Sequence, residues 1–107
     1  MYRVQFDSDE EAVAFIAALS RYLSGPELRD PGARNGSAHV WASPLGDAPT
    51  AVYLSDAALC ATRERFGTPP ASELIADSDV PGACRLLTGG GALQAWGEAD
   101  VRRLLLP

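Results

Sequence analysis

The feature that most constrains this chain is an abrupt change of period near its start. Tyr2, Val4 and Phe6 alternate with Arg3, Gln5 and Asp7, the two-residue repeat of a strand with one face on a core. Ser8-Asp9-Glu10-Glu11 follows at once. In this Ser-x-x-Glu box each side chain satisfies a backbone N–H that a helix start leaves free. Ala12, Phe15, Ile16, Leu19 and Leu23 then recur at helical spacing as far as Gly25-Pro26, where glycine permits a left-handed cap and proline forbids continuation.

Ala38 to Ser43 reads as a second strand, Pro44 to Pro49 as a turn, and Ala51 to Leu54 as a third strand. The short connection predicts antiparallel pairing. Ser55 caps a second helix, Asp56 stands where the helix dipole favours an acid, and Gly67 before Thr68-Pro69-Pro70 ends it. Its expected inner stripe is Leu59, Thr62 and Phe66. Residues 25–36 and most of 67–82 read as loop, Cys84 to Leu87 as a strand, and Glu98 to Leu106 as a terminal helix with Val101, Leu104 and Leu105 inward. Gly89 to Gly97 fits either a returning strand or the glycine-rich start of a longer helix. Together these elements predict one α+β domain over residues 1–107: a ferredoxin-like (split βαβ) antiparallel sheet, two helices on one face, and an appended C-terminal helix.

Charge narrows the partners. Fourteen acids against nine bases, all nine of them arginine, leave a net charge of −5. Such a chain lacks the attraction that supplies most non-specific affinity for phosphate backbones, so neither nucleic acid nor an anionic membrane is an expected partner. No apolar run approaches the ~20 residues of a membrane span. Met1 leads straight into the first strand without an export signal, and the expected location is cytoplasmic. Cys60 and Cys84 are not in a Cys-x-x-Cys spacing and are expected as reduced, buried thiols.

No motif calls for a cofactor or a metal. His39 is the single histidine, with no cysteine close to it in sequence. Asp77-Ser78-Asp79 lacks the downstream glutamate of a calcium loop, and no lysine follows Gly89-Gly90-Gly91 as a phosphate-binding loop requires. No residue is assigned a catalytic role.

Alternation does single out one surface. With Tyr2, Val4, Phe6, Val40, Val52 and Leu54 under the helices, the opposite face carries Arg3, Gln5, His39, Trp41 and Tyr53. Aromatics beside an arginine and a histidine, on a face no helix covers, form the expected binding site. The expected function is a small protein-binding or regulatory module acting through that open face, on a protein partner or on itself as a homodimer. The alternative is a small enzyme of dimeric α+β barrel type, with His39 as acid or base in a pocket lined by the same face. A one-residue slip in register would instead turn His39 and Trp41 into the core.

Overall fold

The computed structural model describes residues 1–24, 39–46, 50–67, 72–88 and 96–106. Along the chain these form β1 (Tyr2–Phe6), α1 (Asp9–Ser24), β2 (Val40–Ala42), β3 (Thr50–Leu54), α2 (Asp56–Phe66), β4 (Ser72–Leu74), a 3-10 turn (Asp77–Asp79), β5 (Arg85–Thr88) and α3 (Glu98–Leu105). The fold is α+β. Its strands make one antiparallel sheet in the order β4-β1-β3-β2-β5.

Local chemistry sets the helix starts. The Glu11 N–H donates to Ser8 Oγ at 3.2 Å, and Asp9, Glu10 and Glu11 place negative charge in the first turn of α1, where the free N–H groups favour it. Ser55 Oγ accepts from the Ala58 N–H at the start of α2, while Gly67, at φ 82°, closes its end by donating to the Arg63 carbonyl at 3.0 Å. That backbone angle favours glycine.

Val4, Val40, Ala42, Val52, Leu54 and Leu87 of the sheet pack with Ala12, Val13, Ile16, Ala17, Leu19 and Leu23 of α1, with Ala58, Leu59 and Ala61 of α2, and with Val101 and Leu105 of α3 in one core. The buried side of α1 therefore matches its apolar stripe, widened by Val13 and Ala17. Phe15 packs at the edge of that core.

Several expectations change. Cys84 to Leu87 was to be the fourth strand; the strand there, β5, pairs with β2 at one edge of the sheet. The place beside β1 at the other edge goes to β4, from a stretch read as loop, because three residues are too few to show a period. The terminal helix keeps its expected inward side, with Val101 and Leu105 fully buried and Leu104 half-buried against the core. Phe66 is 42% exposed and meets Phe15 outside the core in a tilted ring contact, their centroids 6.0 Å apart. Residues 25–36 and 89–95 lie outside the described residues. Among those described, no helix is long and apolar enough to cross a membrane.

Candidate functional site

The sheet register assembles the face that alternation predicts. Glu73 pairs with Arg3, Arg3 with Tyr53, and Tyr53 with Trp41, so four side chains cross four strands in one row. Their neighbours along each strand, such as Val4, Val52, Val40 and Ala42, belong to the helix-side core. The row therefore lies on the opposite face, and the β-bulge between β2 and β5 does not turn Trp41 inward. Gln5, opposite Ala51 on the same face, is exposed.

His39 is held just outside β2 by two bonds to Ser55: its N–H donates to Ser55 Oγ at 2.9 Å and its carbonyl accepts from the Ser55 N–H at 3.0 Å. The cap of α2 thereby extends the β2–β3 ladder by one position. From there the imidazole stacks on Trp41, centroids 5.4 Å apart and planes 28° from parallel. Both residues are half-buried.

The face is not open. Residues 75–84 connect β4 at one edge to β5 at the other, a span of four strand spacings or about 19 Å. They take the side away from the helices. Asp77, Val80, Pro81, Gly82 and Cys84 line, with Met1 and Trp41, a cavity of about 460 Å³. Beneath this strap Tyr53 is only 4% exposed, which corrects the expectation of an exposed aromatic there. Burial pushes the Tyr53 phenol above its ordinary value, the nearby Cys84 adds to the rise, and the Arg3 guanidinium opposes it. The strap itself is mostly exposed, with Ile75, Val80 and Cys84 half-buried.

Arg3 is committed to the fold. Its Nη2 donates to Glu73 Oε2 at 2.5 Å, a bond that raises the guanidinium above its ordinary value and ties β4 to β1. Its Nε is buried with no hydrogen-bond partner among the described residues. The Ile75 N–H donates to the Met1 carbonyl at 2.9 Å, and the Met1 amino nitrogen stands 3.4 Å from Asp77 Oδ1, so both contacts anchor the strap's first half.

The thiols also depart from expectation. Cys60 is exposed and Cys84 half-buried, and neither is in a disulfide. Cys60 should therefore react with a thiol reagent in the native protein as fast as in the unfolded chain, with Cys84 slower. Protection of Cys60, read with the Cys84→Ser variant, would contradict this placement.

Compared with protein-family models, with curated proteins and with solved structures, the chain matches none. The site's own chemistry carries the reading. Among the described residues no group of three His, Cys, Asp or Glu stands ready for a metal ion. His39 is oriented by stacking on Trp41, whereas a general base is normally oriented by a polar group bonded to its ring. Of the five residues expected at the site, Arg3 and Tyr53 join in the network under the strap, His39 and Trp41 sit beside it, and Gln5 faces outward in the next row. The strap residues around the cavity were missed, because a stretch without periodicity does not reveal which face it will cross.

Proposed function

We propose that the chain is a protein-binding or regulatory module of the cytoplasm, acting through the His39–Trp41 corner of the strap-covered face. The observation that carries this reading is the contrast within one cross-strand pair: Tyr53 is closed over, while Trp41 beside it remains half-buried and opens on the cavity. A tryptophan fixed on a strand and bordering a recess is the residue type that anchors protein interfaces. The order β4-β1-β3-β2 supports a ferredoxin-like (split βαβ) framework to which β5 and α3 are added. That neither Cys60 nor Cys84 is in a disulfide fits a reducing compartment, and a net charge of −5 favours a protein over a nucleic acid as partner.

The enzyme alternative draws on the cavity, whose volume of about 460 Å³ falls within the roughly 300 to 1,000 Å³ of small-molecule sites. Its lining supplies one carboxylate and one thiol as reactive side chains. The binding reading needs no further group and is preferred.

The test is affinity capture from the native cell with the wild-type and Trp41→Ala chains, each matched for folded protein. A partner held by the wild type and lost at least tenfold by Trp41→Ala is the expected result. Sedimentation of both chains alone reports whether that partner is a second copy. Equal capture by the two chains would remove Trp41 from the interface and sink the proposal.

A further inference from the structure

The strap that closes the sheet face has no buried residue of its own. Ile75, Val80 and Cys84 are half-buried and its other seven residues are exposed, yet Tyr53 beneath it is 4% exposed. The backbone N–H groups of Asp79, Val80 and Cys84 donate to the carbonyls of Ala76, Asp77 and Pro81, closing turns within the strap. Its ties at Met1 come from Ile75 and Asp77. Among the described residues, none of 78–83 has a hydrogen bond or ion pair to the sheet. Val80, Pro81 and Gly82 line the cavity of about 460 Å³ that reaches Trp41, so the strap's middle borders open space where a core element would meet packed side chains. Under it, Arg3 Nε is buried with no acceptor among the described residues, and water would satisfy that donor once the strap lifts.

We propose that residues 76–84 are a displaceable cover, which lifts from the sheet in a local opening while the five strands and three helices stay folded. An element without buried side chains adds little of the apolar contact that makes unfolding cooperative, which places it at the low end of local opening free energies. The core lies on the other side of the sheet, between it and the helices, so lifting the strap leaves that core closed. Opening exposes the row of Arg3, Tyr53 and Trp41, which the register sets side by side on β1, β3 and β2. The Tyr53 ring keeps the closed state in the majority, because opening returns its apolar surface to water. Closed, the row offers its Trp41 end at the cavity. Open, it adds the Tyr53 ring and Arg3 Nε to one continuous surface, and the cover thereby regulates how much of the face is accessible. Cover movement needs no partner at Trp41, so either proposal can fail without the other.

Nuclear magnetic resonance of the full chain with ring-labelled tyrosine tests this, and Tyr53→Phe assigns the reporter signal. A second chain, with residues 76–83 replaced by glycine and serine at equal length, supplies the uncovered state. It should keep the far-ultraviolet helix signal and one cooperative urea transition. Its Tyr53 phenol should titrate below that of the wild type, where burial raises it. In the wild type, relaxation dispersion at the Tyr53 ring should report a minor state of about 1% or more, within the range of populated alternative conformers. That state should carry the Tyr53 shift of the uncovered chain. Asp77→Asn, which removes the ion pair with the Met1 amino group, should raise its population about two- to fivefold, the scale of an exposed ion pair. Ile16 and Leu19, fully buried in α1, should show no exchange at that rate. A Tyr53 ring without dispersion would overturn the opening. Dispersion shared by Ile16 and Leu19 would overturn it as well, because the whole domain would then be opening. An uncovered chain that failed to fold would make the strap part of the cooperative core and end its reading as a separable cover.

Discussion

Replacing Tyr53 with alanine should lower the free energy of unfolding by about 3 to 5 kcal/mol, the range for emptying a buried aromatic site. Tyr53 lies on the central strand β3 between Arg3 and Trp41 and is 4% exposed under the strap, so its loss leaves a gap that neither sheet nor strap can fill. A domain of this size has about 5 to 15 kcal/mol in all, and chemical denaturation will resolve the change. Trp41→Ala, at a half-buried position, should cost about 1 kcal/mol. The phenol adds a pH signature of known sign. Its value is raised from 10.0 in the folded protein, so the folded state holds that proton more tightly, and the stability this gives is complete below the unfolded value and lost as pH rises through the folded one. Wild-type stability should therefore fall as pH climbs above 10.0, and Tyr53→Phe should lack that part of the fall. A cost for Tyr53→Ala no greater than for Trp41→Ala would mean that the strap does not cover the ring.

The difference between those two aromatics marks where sequence reading runs out. Alternation placed Arg3, Tyr53 and Trp41 on one face because a strand's side chains have a period of two whatever lies above them. The Ser8 and Ser55 caps were legible because a cap is a contact between residues a few positions apart. What covers a face depends on contacts between distant segments. Residues 75–84 show no period, and their route across the sheet follows from β4 and β5 taking opposite edges. Neither edge assignment is written in three or four residues. Cys60 is a different case, since a helix that buries Ala58, Leu59, Ala61 and Thr62 turns position 60 outward. The spacing carried that signal, and the general tendency of cysteine to be buried argued against it.

Phe66 shows the limit of the same helical reasoning. It continues the spacing of Leu59 and Thr62, yet it stands at the last position of α2, beyond the edge of the core. Its ring meets Phe15, which in turn meets Phe6 at 5.2 Å, and Arg65 lies over it at 5.4 Å. Periodicity fixes the direction of a side chain and not whether a partner layer extends that far. The same holds for Leu74, which faces the helix side from β4 opposite Tyr2 and remains 68% exposed.

Leu105→Ala should cost about 2 to 5 kcal/mol, and this separates an integral α3 from an appended one. Leu105 and Val101 are fully buried against α1. The helix is also tied at its C-terminal end: the Leu105 carbonyl accepts from the Leu45 N–H at 2.8 Å, and the Leu106 carbonyl accepts from Arg85 Nη2 at 3.1 Å. Before its start the Trp96 N–H donates to the buried Ser20 Oγ of α1 at 3.0 Å. Truncating Leu105 therefore opens a void in a core shared by the sheet and all three helices, where neighbours held by hydrogen bonds cannot collapse inward. Leu106 supplies the control, being next in sequence, equal in chemistry and 50% exposed. Leu106→Ala should change stability by no more than about 0.5 kcal/mol. Urea unfolding of the two variants, followed by the far-ultraviolet helix signal, gives the comparison. If both cost little, α3 is an addition to a domain that folds without it, and the core ends at the sheet and the first two helices.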